Sequence, residues 1–324
     1  MTALLRLIRY RNLIIIALTQ YMMRYFVIWP ILKVNGFELQ MDRWHFLLLV
    51  LSALLITAAG YVINDYFDTR TDMLNRPETV VVGRSVSRRS AMLLHIILNI
   101  AGVGLGIYLS LYIGILSLGV AYLLAAGLLW FYSTTYKRQF LIGNLIVAVF
   151  TAMVPFIVVL FEVPLLNDEY RSILLRNHMN FNVLIAWVGG FSYFAFLSTL
   201  IREIIKDVED YEGDRAFGRN SMPVVIGIKA TRHVVVFLIA GMLFSLAYVY
   251  YRFLRQMPGG RTDLLTLGYF TLFLLVPSVY LILRLYRASG KNDYHVCSNI
   301  TKLIMLGGIL YSVVAFVILT INFR

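Results

Sequence analysis

Long, continuous blocks of apolar residues alternate with short polar segments along this chain. Blocks able to cross about 30 Å of hydrocarbon need roughly 20 residues each. Such blocks fall near 13–32, 44–63, 91–111, 113–132, 141–161, 183–201, 233–251, 265–283 and 303–322. The pattern predicts nine transmembrane helices. Within each block the apolar positions lack the period of two that a membrane strand would show, which disfavours a closed barrel. The expected fold class is therefore all-α, a polytopic helix bundle. The third and fourth blocks part only around Leu111 and Tyr112, so a single broken segment is the alternative there.

Composition strengthens this picture. Of 324 residues, 60% are hydrophobic and 14% charged, too apolar for a soluble fold and too long for one membrane anchor. The first block follows Arg6, Arg9 and Arg11 but is too long for a signal-peptide core, and no small-residue cleavage pattern follows it. The lone cysteine, Cys297, permits no intrachain disulfide. No two of the five histidines stand at the i, i+4 spacing of a helical metal pair.

The net charge of +12 is arranged by topology, with no patch suited to nucleic acid. Basic residues crowd the N-terminus and the segments after even-numbered blocks, among them Arg84, Arg88, Arg89, Lys137, Arg138, Arg202, Lys206, Arg215, Arg219, Lys229 and Arg232. The opposite segments hold far fewer. By the positive-inside rule the N-terminus is cytoplasmic and the C-terminus outside, in the cell (inner) membrane.

Most of the 17 acids also collect in two places, Asp65, Asp68, Asp72 and Glu78 after the second block, and Glu203, Asp207, Glu209, Asp210, Glu212 and Asp214 after the sixth. Asp65, Asp68 and Asp72 stand at i, i+3, i+7, and Asp207, Asp210 and Asp214 repeat that spacing. On a helix each trio spans about 60° of one face. Three like charges on one face repel unless a cation stands before them. Oxygen ligands without His or Cys suit Mg2+, which is usually held by a few carboxylates together with substrate phosphates. A solvated acidic loop would place acids after one helix; the same spacing twice, four blocks apart, points to a metal-diphosphate site built on an internal repeat. NRPETVVVGR and GRNSMPVVIG follow the two trios as similar turns, expected to cap the site on the cytoplasmic side.

These segments carry a resemblance. NDYFDTRTD with its NRP and VGR, YSTTYKR, IGN, and REIIKDVEDYEGD with GRNSMPVVIG resemble the UbiA superfamily of intramembrane prenyltransferases over nearly the whole chain. Within it, REIIKDVEDYEGD is most similar to the geranylgeranylglycerol-phosphate geranylgeranyltransferases. The resemblance implies a single domain over 1–324, with nine helices around a central cavity. It also implies that Mg2+ bridges Asp65, Asp68, Asp72, Asp207, Asp210 and Asp214 to an isoprenyl diphosphate. Asn64, Arg76, Lys137 and Lys206 are then expected on the diphosphate, with Arg9, Asn12 and Arg202 near the acceptor. Tyr10 departs from the proline that many relatives carry in this segment.

The implied reaction moves a geranylgeranyl group to the hydroxyl of a glycerol phosphate lipid; an aromatic acceptor of quinone synthesis is the alternative. The prenyl tail needs a dry lining, to which Trp187, Phe191, Tyr193, Phe194 and Phe196 are candidates beside ordinary packing. A secondary transporter would place ionisable groups near the midplane, whereas here Arg24 is the main one inside a block. Neither a phosphate loop nor a dinucleotide fingerprint is present, so ATP and NAD are not expected.

Overall fold

A computed structural model describes residues 2–75, 77–256 and 262–321. Among them nine helices are long and apolar enough to span a membrane, and no strand forms. These are α1 (Tyr10–Val34), α3 (Arg88–Tyr112), α4 (Leu116–Thr134), α5 (Ile142–Glu169), α6 (Asn182–Glu209), α7 (Ile228–Leu254) and α8 (Leu264–Arg287), with α2 (Arg43–Asn75) and α9 (Lys291–Ile321). Arg76 and the last residue of the expected ninth block lie outside the described residues.

Both α2 and α9 run well beyond their apolar blocks. α2 carries NDYFDTRTD as continuous helix, so the first acid trio stands on helical turns, as its i, i+3, i+7 spacing implied. α9 begins with KNDYHVCSN, a polar stretch that apolar counting leaves out. Between α3 and α4 the chain turns through Ile113 to Ile115, with Gly114 at φ 74°, a left-handed conformation that a side chain would strain. Beyond that turn α3 and α4 pack closely: a Cβ on Gly106 would lie 2.3 Å from the Tyr122 ring.

Prolines reshape two of the helices. Pro30 follows a π-helical stretch, Met23–Ile28, in which the Trp29 N–H reaches back to the Arg24 carbonyl. Pro277 likewise follows Phe270–Leu275. Proline removes a donor and crowds the preceding turn, and widening that turn keeps the remaining backbone groups bonded where no water can reach them. Arg24, in the first stretch, is 2% exposed, so it faces protein rather than snorkelling to an interface.

The chain folds as two compact units. The first comprises Met1–Tyr21, Leu39–Gln139 and Ile157–Asn182. Within it, Leu7, Val62, Val81, Val82 and Ala91 form a small core that anchors the segment after α2. Glu162, 1% exposed, accepts from the Gln40 and Met41 amides at 2.5 and 3.1 Å, so this buried acid terminates a loop. The second unit comprises Met22–Glu38, Phe140–Phe156 and Val183–Arg324. Its larger core includes Ile201, Ile204, Ile205, Met222, Ile239 and Ile304. Met222 and Pro223 are buried, anchoring the segment after the second acid trio.

Candidate active site

The first acid face is built on the end of α2. Asp68 is 7% exposed and pairs with Lys137 at 2.9 Å. Lys137 belongs to the short turn Tyr136–Arg138 after α4, and its Nζ also donates to Asn64 Oδ1 at 3.2 Å. One buried cation therefore holds two positions of NDYFD. Arg9 pairs with Asp65 at 2.8 Å and lies 4.8 Å over the Tyr61 ring, one turn earlier on α2. Asn12 donates to the Tyr61 hydroxyl at 3.2 Å. The repulsion expected among the acids is thus relieved in part by protein cations, brought in from before α1 and after α4.

Arg9 reaches Asp65 from a break in the helical path. The chain is helical over Thr2–Leu7 and again from Tyr10, and Arg9 between them takes φ 50°. A left-handed non-glycine residue costs about 1 kcal/mol or more and persists where its surroundings hold it. Burial opposes the Arg9 charge, but Asp65, followed by Tyr61, outweighs it and raises the guanidinium above its ordinary value. At the far end of the trio, burial, then Asp68, then Asp65 push the Asp72 carboxyl up to about 6. That carboxyl faces its two neighbours across the acid face.

The second trio sits at the end of α6 and past it. Asp207 lies within α6, Asp210 at the break that follows, and Asp214 in a short helix, Tyr211–Ala216. The single-helix expectation is corrected here, although the Asp210 and Asp214 amides still bond four residues back, to the Lys206 and Asp210 carbonyls, and the winding continues across the break. Asn144, near the start of α5, donates to Asp207 Oδ2 at 2.8 Å. Arg219 pairs with Asp214 at 3.4 Å. Arg202 and Lys206 both bond Glu203, at 2.6 and 3.3 Å. The Arg202 Nε is buried with no hydrogen-bond partner among the described residues.

Of the residues expected on the diphosphate, Asn64 and Lys137 meet, while Lys206 shares Glu203 with Arg202, which was expected near the acceptor. Sequence reasoning missed Tyr61, Glu203 and Asn144, and left Glu209 unassigned, which His295 meets at 3.0 Å. Asn144 had a signal, as the polar end of IGN at the head of an apolar block. The aromatic cluster before the second trio divides: Phe194 is buried, with its ring where a Cβ on Gly308 would fall, Phe191 stacks on Tyr311 at 6.0 Å, and Tyr193 is 51% exposed.

Among the described residues no three carboxylate, His or Cys groups converge tightly enough to hold a metal by themselves. The six aspartates therefore build no closed protein cage. As hard oxygen donors without nitrogen or sulfur they still fit Mg2+, whose other ligands are commonly phosphate oxygens and water.

Nine long apolar helices among the described residues, two of them ending in acid-rich segments, define an integral membrane protein. The UbiA prenyltransferase family profile matches residues 27–303, and the chain belongs to that family. Digeranylgeranylglyceryl phosphate synthase of Methanothermobacter thermautotrophicus is 34% identical over 189 residues, 58% of this chain and 58% of that protein. The match thus spans somewhat over half of that relative's length. A solved structure from work on digeranylgeranylglyceryl phosphate synthase in membranes superposes with TM-score 0.65 and 22% identity, covering 98% of both chains. A UbiA homologue from Archaeoglobus fulgidus, bound to GPP and Mg2+, superposes with TM-score 0.53 and 17% identity, covering 96% of this chain and 99% of that one. The protein is an integral membrane enzyme that transfers a prenyl group.

Proposed function

We propose that the chain, acting as one catalytic domain, transfers a geranylgeranyl group from its diphosphate to the free hydroxyl of geranylgeranylglyceryl phosphate, in a reaction that depends on Mg2+. The observation that carries this reading is Lys137, a buried ammonium held between Asn64 and Asp68 on an acid face. An acid face with a cation fixed inside it suits a ligand that brings both metal and phosphate oxygens. The relatives' names and the GPP and Mg2+ in the homologue support the same class of substrate.

Asp65, Asp68 and Asp72 with Asp207, Asp210 and Asp214 would hold magnesium, and Asn64, Arg76, Lys137 and Lys206 the diphosphate. The metal, when bound, supplies charge neutralisation for the leaving diphosphate. The C1–O bond of the prenyl diphosphate breaks with its electron pair going to the diphosphate, the acceptor oxygen forms the new bond to C1, and its proton is released. Lys137 donates to the departing oxygens, while Arg9 and Asn144 fix Asp65 and Asp207 in their orientations. Apolar helices exclude water from the allylic cation.

Arg202 supports the acceptor assignment. Its buried Nε has an open valence for hydrogen bonding, which a phosphate on the acceptor would fill. Arg9 and Asn12 complete the proposed acceptor side. The concentration of basic residues around the acid segments supports a cytoplasmic placement for them and an external C-terminus. Purified protein given geranylgeranyl diphosphate with the glycerol phosphate lipid, hydroxybenzoate or dihydroxynaphthoate, side by side, tests the reading. Ether product from the lipid is expected; C-prenylation of an aromatic without ether product would overturn it.

A further inference from the structure

Beyond the acid faces, a second feature at the end of α2 has the chemistry of a lipid site. Tyr66, Arg88, Arg89, Met92, Leu93 and Ile96 line an open groove of about 370 Å3 between α2 and the start of α3. Its two ends differ sharply. At one end, the Arg88 guanidinium lies 4.0 Å over the Tyr66 ring, which fixes a charge at the rim. Arg89 beside it is exposed, and among the described residues no acid pairs with either arginine. At the other end, Leu93 is 59% and Ile96 45% exposed, on a helix whose apolar length crosses the membrane.

We propose that this groove binds an anionic glycerophospholipid of the surrounding membrane, with its phosphate on Arg88 and Arg89 and an acyl or prenyl chain along Met92, Leu93 and Ile96. Charge complementarity selects the headgroup: two unpaired guanidinium groups over an apolar floor match an anion with a hydrocarbon tail, while a zwitterionic headgroup brings a compensating cation. The occupant is a bulk lipid rather than the acceptor because Tyr66 projects about 100° around α2 from Asp65, away from the acid face. The site would hold the end of α2 against α3, and with it the helix that carries the first acid trio.

The test reads lipid retention and needs no turnover, so it stands or falls separately from the prenyl-transfer reading. Native mass spectrometry of the purified protein, delipidated and then offered phosphatidylglycerol and phosphatidylcholine at equal mole fraction, should show phosphatidylglycerol retained preferentially. Arg88→Gln and Arg89→Gln should each weaken its retention about fivefold. Arg138→Gln, which removes an exposed positive charge elsewhere, should leave retention unchanged. Equal retention of the two lipids, or full phosphatidylglycerol retention by the Arg88→Gln/Arg89→Gln double variant, would overturn the proposal.

Discussion

Asn144 holds Asp207 from a different helix, its Nδ2 donating to Oδ2 at 2.8 Å. A ligating carboxylate needs such a partner, because one oxygen must be turned to the metal while the other is occupied. If Asp207 is a magnesium ligand, Asn144→Ala should lower the apparent Mg2+ affinity about 10- to 100-fold. kcat at saturating metal should recover in large part. A variant whose Mg2+ titration matches the parent would remove Asp207 from the metal's coordination.

Lys137 and Asp68 make a second test, because both side chains are nearly buried, at 5% and 10% exposure. Removing one charge strands the other, so Lys137→Met should raise the diphosphate KM and lower kcat/KM by at least about 100-fold. Asp68→Asn and Asp210→Asn should do the same, as should chelation of the metal. Normal steady-state turnover by any of these variants, with a melting temperature near the parent's, would refute that residue's role.

The Asp72 carboxyl is raised to about 6 by burial, Asp68 and Asp65, so if Asp72 is a magnesium ligand, metal binding should depend on pH. A raised carboxyl pKa favours the protonated, metal-free protein: the stability it contributes is present at low pH and is lost as pH rises through about 6. Magnesium bound there would displace that proton, so its apparent affinity should climb about tenfold per pH unit below the transition and level off above it. Asp72→Asn should flatten the slope. Isothermal titration at several pH values checks this, and an unchanged slope in the variant would exclude Asp72 as the titrating group.

How much of this was legible in the sequence varied with the kind of signal. Nine apolar blocks announced nine helices because a membrane demands both length and apolarity, and that demand holds whatever the tertiary contacts. Helix ends were less legible. α2 and α9 continue through NDYFDTRTD and KNDYHVCSN because cross-chain partners satisfy polar side chains there, as Arg9 and Lys137 do for Asp65 and Asp68. The acid trios were visible as spacing, whereas their partners were not. Nothing local marks Arg9 as the residue that reaches Asp65, since 56 positions separate them and the approach depends on a left-handed turn. Glu162 stayed hidden because a buried acid that accepts two backbone amides looks, in sequence, like the edge of an apolar block.

The basic residues predict a membrane sidedness that can be tested directly. With Cys297 replaced by serine, a single cysteine at Ser85 or at Asn220 should react with a membrane-impermeant maleimide only after cells are opened. One at Ser172, in the segment between α5 and α6, should react in intact cells. Labelling of Ser85 and Asn220 positions from opposite sides would place the two acid segments on different faces and end the proposed shared function.

The two arginines proposed for the acceptor, Arg9 and Arg202, should behave differently, and the contrast tests the acceptor itself. Arg9 is committed to Asp65 at 2.8 Å and to the Tyr61 ring, so its loss disturbs the acid face as well as any acceptor it meets. Arg9→Ala should therefore raise the diphosphate and acceptor KM together and shift the Mg2+ dependence. Arg202 bonds Glu203 through one Nη and leaves its buried Nε open. Arg202→Ala should raise the acceptor KM about tenfold or more, with a smaller change in the diphosphate KM, because a charged hydrogen bond to phosphate is worth about 1.5–3 kcal/mol. Arg202→Lys should restore part of the charge attraction without the planar donor pair. If Arg202→Ala instead raised only the diphosphate KM, the residue would belong to the leaving group. The acceptor phosphate would then have to be sought among other cations.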